Sequence, residues 1–237
     1  MADYNYDSFS SDDYDFNTST GPRLGDKAPD FDLLTSTGER RRLLDFDAEL
    51  LVLELGSATC PLFQTRRKKM QELDAQSDRV QSAVLYVREA HPGATIPAHV
   101  DLASKSECAR GLDEDGETRV VLIDDFEGAA HQAYGGMPNA VYIINKRGCV
   151  VFKADWNNPS ATAAAVGSLL RGEPVLAKSY FRPASPAVAI RTLRRAGQGS
   201  ALDFLRSLPT LIWHNLILRN IRTLFGRLSS VSVDTSC

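Results

Sequence analysis

The chain has 237 residues, 43% of them hydrophobic, enough for one α/β domain with a sizeable core and flanking segments. Its four cysteines, Cys60, Cys108, Cys149 and Cys237, are too few and too widely spaced for a disulfide scaffold. None has zinc spacing, so no metal is expected. A net charge of −3 hides an asymmetry, because Asp3, Asp7, Asp12, Asp13 and Asp15 all precede the first basic residue, Arg23.

Residues 1 to about 22 are rich in Asp, Ser, Asn and Tyr without periodicity, which predicts a disordered acidic tail. They lack the basic start and apolar run of a secretory signal, and no stretch reaches the ~18 apolar residues of a membrane span. These features predict a reducing, cytoplasmic setting, and nothing points to nucleic acid. A main domain is expected over 23–173. Within it Ala28–Leu34 alternates like an edge strand, Thr37-Gly38 marks a turn, and Leu43–Phe46 leads into the core. Glu49–Leu55 is the first strong strand, and Gly56–Thr59 turns the chain into a helix opened by Cys60-Pro61 and ending near Gln76.

Ala83–Val87 reads as a buried strand, which implies a parallel crossover from the first. A helix over Leu102–Leu112, a strand over Arg119–Asp124 and a short helix over Ala129–Tyr134 follow. Next, Ala140–Ile144 and Val150–Lys153 flank Asn145-Lys146-Arg147-Gly148 as a hairpin. Ser160–Leu170 closes the domain as a helix with a Ser N-cap. This order predicts an α/β, thioredoxin-like fold, a central mixed sheet flanked by helices. Pro138, entering the hairpin, is then expected in cis against the active cysteine.

Residues 174–237 form a helical extension in which Arg182, Arg191, Arg194, Arg195, Arg206, Arg219, Arg222 and Arg227 face only Asp203 and Asp234. Two helices are expected, over Ala187–Arg195 and over Pro209–Leu228. The second is amphipathic, with a composition suited to a protein partner or an anionic membrane surface, so that the protein is cytoplasmic or peripherally membrane-associated. Packing on the chain's own domain is the competing reading.

Cys60 stands at a helix start, where unpaired N–H groups and the helix dipole lower a thiol pKa from about 8.5. Ser57 and Thr59 are expected to add hydroxyl donors beside the sulfur. No cysteine stands at position 57 or 63, so exchange within one motif is excluded. Of the remaining thiols Cys108 is the best candidate to resolve Cys60, and Cys149, in a strand, is expected in the core.

Three segments, Gly56–Phe63, Tyr86–Pro92 and Ile96–His99, resemble the iodothyronine deiodinase family from about Lys27 to Leu170, with cysteine where that family usually has selenocysteine. The resemblance implies a reductive dehalogenation in which Cys60 attacks halogen, Glu89 and His91 supply a proton, Ser57 relays it, and His99 lies on the substrate side. It implies a halogenated aromatic substrate, an external thiol reductant with no bound cofactor, and a homodimer. Two departures stand out. Ala58 replaces a cysteine common in the family motif. After the hairpin, where the family supplies an arginine for the substrate's acidic end, Ala154–Pro159 has none, and Trp156 is offered instead as a wall for an aromatic ligand. Two other functions remain open. A peroxiredoxin-like peroxidase acting on peroxide is suggested by Lys27–Phe31 and by Ser57 three residues before Cys60, although Leu53 stands where that family has proline. The third reading is a non-catalytic adaptor.

Overall fold

The two strongest apolar runs pair in parallel at the centre of the sheet. The structure, a computed structural model, describes residues 4–75 and 77–237. Its first strands are β1 (Asp32–Thr35), β2 (Arg40–Arg42) and β3 (Leu50–Gly56), followed by α1 (Pro61–Asp74) and β4 (Val80–Tyr86). Then come α2 (Leu102–Glu114), β5 (Val120–Ile123), α3 (Ala129–Ala133), β6 (Val141–Asn145), β7 (Val150–Ala154) and α4 (Pro159–Leu170).

The strands order as β2-β1-β5-β4-β3-β6-β7. Strands β3, β4 and β5 run parallel, while β1, β6 and β7 join antiparallel. This is a thioredoxin-like fold. All of β3 is buried, as expected of a parallel strand covered on both faces. Alternation sends Leu50 and Val52 to one face, with Met70 and Leu73 of α1 and Ala165 and Leu169 of α4, and sends Leu51, Leu53 and Leu55 to the other. The strand expected at an edge, β1, is interior, because β2 pairs outside it.

That second face holds the largest departure from expectation. The N-terminal segment packs on it as core, with Phe9, Tyr14 and Phe16 buried; residues 1–3 lie outside the described residues. Tyr6 Oη donates to the Ala90 carbonyl at 2.9 Å, and Arg88 lies over the rings of Tyr4, Tyr6 and Tyr14 at 5.2, 4.5 and 5.1 Å. Burying each large ring contributes about 1.5–3 kcal/mol, which offsets the ordering of a segment whose composition alone reads as disordered.

Smaller differences concern caps and bonds. The α4 N-cap is Asn158, whose side chain accepts from Ser160 N at 3.2 Å, with Pro159 at the first helical position. The end of α1 foreseen near Gln76 lies outside the described residues, and α1 is described to Asp74. There is no cis peptide bond among the described residues, so Pro138 is trans, and Gly135 and Gly136, with φ of 91° and 69°, turn the chain ahead of it.

Beyond α4 come α5 (Pro186–Ala196), α6 (Ser200–Leu211), a π-helical stretch Ile212–Arg219 and α7 (Asn220–Phe225). The last three are continuous, so the amphipathic helix starts at Ser200 rather than Pro209. Pro209 sits inside it, where its missing N–H is followed by the wider π turn. Leu211 packs on the core, while Trp213, Leu224 and Phe225 are exposed. No helix among the described residues is long and apolar enough to cross a membrane.

Cys149 and Cys237 form a disulfide, with Cα atoms 5.8 Å apart. The final segment reaches it by running back to the hairpin turn, where Asn145 Nδ2 donates to the carbonyls of Val233 and Thr235 at 2.7 and 2.8 Å. Cys149 is therefore buried, as expected, yet it is bonded rather than a free core thiol.

Candidate active site

The β3–α1 turn, Ser57–Cys60, is gripped from the β4 side. Thr59 donates to Glu89 Oε2 from its backbone N at 2.8 Å and from Oγ1 at 2.6 Å, and accepts from His91 N at 3.0 Å. Ser57 Oγ accepts from Ala90 N at 3.2 Å. Tyr86 Oη donates to Glu89 Oε1 and accepts from Ala58 N. His99 Nε2 stands 3.5 Å from Glu89 Oε1. Burial alone would raise the Glu89 pKa, but His99, Thr59 and Tyr86 overcome it and hold the carboxyl below its ordinary value. The hydroxyls of Ser57 and Thr59, expected beside the sulfur, thus serve the turn's anchorage instead.

Cys60 is the N-cap residue of α1 and is almost wholly buried. Burial pushes its thiol up to about 11, although the N–H groups of Phe63 and Leu62 and the charge of Arg66 pull the other way. The helix terminus acts as foreseen, then, but desolvation outweighs it. Its sulfur belongs to an apolar cavity of about 110 Å³ that also contains His91, Pro138 and Trp156 in its wall.

The His91 ring is turned into this cavity between Phe9 and Phe204, with centroids 4.2 and 5.3 Å away. Its Nδ1 is buried without a partner. Burial lowers its pKa to about 3 against the opposing charge of Glu89, so the imidazole is neutral. Glu89 and His91, expected as an acid/base pair, have no direct hydrogen bond between them; Thr59 Oγ1 donates to the Glu89 carboxylate and accepts from the His91 backbone N–H. Trp156 is a packed wall, stacked on Phe16 at 6.3 Å, edge-on to Phe181 at 5.5 Å, and donating from Nε1 to Asn215 Oδ1 at 2.9 Å.

His99 and Cys108 line a different cavity from that of Cys60, with Ala58 and Ile96. Burial and Glu89 push the Cys108 thiol up to about 12. Cys149 and Cys237 are bonded to each other, which leaves Cys60 and Cys108 as the free cysteines. One atom each from Glu89, His99 and Cys108 lie within 4.8 Å of one another. This donor set comes from separate elements and could hold a cation, which sequence spacing could not reveal.

Several residues of the site escaped the sequence reading. Phe9, Tyr14 and Phe16 form one wall of the cavity and Phe204, Leu208 and Leu211 another; the aromatic spacing inside the acidic segment was the available signal. Glu54, a carboxylate within an otherwise apolar strand, accepts from Arg119 at 2.7 Å and from Asn139 and Asn157 at 3.0 and 2.6 Å.

A buried cysteine heading the first helix after the central strand defines a thioredoxin-fold thiol protein. Two solved structures share the fold. An uncharacterized conserved protein from Geobacillus kaustophilus aligns with a TM-score of 0.54 at 19% identity, covering 66% of this chain and 87% of that one. A hypothetical protein from Sinorhizobium meliloti 1021 aligns at 0.53 and 18%, covering 66% and 89%.

A sequence profile of iodothyronine deiodinase matches residues 9–161, and the chain belongs to that family. The match takes in Phe9, Tyr14 and Phe16 as well as Cys60. Thyroxine 5-deiodinase of Aquarana catesbeiana is 32% identical over 134 residues, covering 51% of this chain and 50% of that protein. That of Rattus norvegicus is 29% identical over 133 residues, covering 51% and 44%. The chain spans about half the length of the curated relatives it matches.

Proposed function

We propose that the protein is a thiol oxidoreductase that removes halogen reductively from an aromatic ring, with Cys60 as nucleophile and His91 as proton carrier. The observation that carries this reading is that these two groups share one apolar cavity. Their protonation fits the balance of the reaction. At rest the thiol holds its proton and the imidazole is neutral. Sulfur attacks iodine, the carbon–iodine bond breaks with its electron pair left on carbon, and the thiol's proton passes through His91 to that carbon. Since neither group rests charged, the transfer is concerted with bond cleavage. The products are the reduced ring and a sulfenyl iodide on Cys60.

An external thiol then displaces iodide from the Cys60 sulfur to give a mixed disulfide. A second external thiol releases Cys60, so the electrons come from two thiols oxidised to a disulfide. The membership of the deiodinase family supports the same reading. The peroxidase alternative is less well served, because peroxide reduction starts from a thiolate and burial keeps this sulfur protonated.

The test is iodide release from iodophenols, iodotyrosines and iodothyronines in the presence of dithiothreitol. Cys60→Ser is expected to reduce it by at least ~10³-fold, and release that is absent or independent of Cys60 from every compound overturns the proposal.

A further inference from the structure

We infer that the Cys60 cavity takes an uncharged single-ring aromatic and rejects ligands that carry a carboxylate. This rests on reading the cavity as the substrate site and specifies what enters it. The walls are built from Phe9, Phe16, Trp156, Phe204 and Leu211, with no lysine or arginine among the described residues that line it.

Three cations around the cavity are committed elsewhere. Arg66 donates to Asn139 and, at 2.7 Å, to the Arg182 carbonyl. Arg88 is enclosed by the rings of Tyr4, Tyr6 and Tyr14 and donates to the Tyr4 carbonyl at 2.6 Å. Arg219 is paired with Asp155, the neighbour of Trp156. A carboxylate brought into this space would lose its water and find no counter-charge, a costly combination.

Among the polar groups of the lining, Asn215 Oδ1 already accepts from Trp156 Nε1, whereas the buried Nδ1 of His91 has no partner. It suits a single hydrogen-bonding group such as a phenolic hydroxyl. Size points the same way, because about 110 Å³ is near the ~150 Å³ of an apolar cavity that takes up benzene. That volume matches one ring.

The chain has two tryptophans, and Trp213 is exposed, so a full-length Trp213→Phe, Cys60→Ser variant leaves Trp156 as the only indole and prevents turnover. Iodine quenches an adjacent indole, which makes titration with 4-iodophenol and 4-iodobenzoate a direct readout of the cavity. The expected result is saturable quenching by 4-iodophenol and affinity at least ~100-fold weaker for 4-iodobenzoate. Equal or tighter binding of 4-iodobenzoate overturns the inference, as does the absence of saturable quenching by 4-iodophenol.

Leu216, at the rim and 37% exposed, supplies a second arm. Leu216→Arg is expected to narrow the gap by ~10-fold, and a gap that stays unchanged overturns the assignment of selectivity to missing charge. The two proposals fail separately. If 4-iodophenol binds but the wild-type protein releases no iodide from it, the ligand class stands and the reaction falls. Iodide released equally well from carboxylated thyronines keeps the reaction and sinks the class.

Discussion

The Ser57–Cys60 turn has two sides built on opposite principles. On one, Glu89 gathers Thr59, Tyr86 and His99 into a charged, hydrogen-bonded anchor. On the other, Cys60 and His91 face hydrocarbon and aromatic walls. The polar side fixes where the sulfur is, and the apolar side sets its protonation state. Both rely on burial, but burial has opposite outcomes: a carboxylate with several donors stays ionised, whereas a thiol whose few donors are outweighed by desolvation and an imidazole with an unpartnered Nδ1 stay neutral.

The largest effect should come from the anchor. Glu89→Ala leaves Thr59 and Tyr86 without their acceptor in a dry site and is expected to cost about 3 kcal/mol in urea denaturation. A loss below ~1 kcal/mol would remove the anchor from the comparison. On the apolar side, His91→Phe fits between Phe9 and Phe204 and should lower iodide release by ~10²-fold while changing stability at pH 7 little.

The same variant has a signature in acid. His91 titrates near about 3 in the fold and near ~6.5 when unfolded. Below ~6.5 the unfolded chain therefore takes up a proton that the fold refuses, so the stability present above that value is lost as pH falls toward about 3. His131, also lowered to about 3 by burial, adds to this slope. Denaturation midpoints measured from pH 7 to pH 4 should fall less steeply in His91→Phe than in the wild type, and equal slopes would place His91 in water. The smallest effect is expected of Thr59→Val, about 1 kcal/mol, with the pH dependence of Cys60 alkylation unchanged. A shifted alkylation profile would show that the two sides are not separable.

Much of this architecture was legible in the chain. Leu50–Leu55 and Ala83–Val87 are largely apolar runs, and Cys60-Pro61 punctuates the turn between strand and helix, so local signals suffice to place the sulfur. What remained hidden depends on contacts between distant residues. Aspartates dominate the composition of the first segment, yet Phe9, Tyr14 and Phe16 between them are the residues that pack. The position of Cys60 at a helix start argued for a lowered pKa, and only the walls of the cavity, drawn from both ends of the chain, reverse it. Nor can spacing show that the His91 ring sits between Phe9 and Phe204, or that Cys149 meets Cys237 across 88 residues.

That last bond has a mechanical consequence. The stretch Phe204–Leu216, which roofs the cavity, lies in a segment that follows α4 at one end and is tied through Cys237 to the hairpin at the other. A roof bonded at both ends can breathe but cannot swing free. Opening Cys149–Cys237 would release one of those ends.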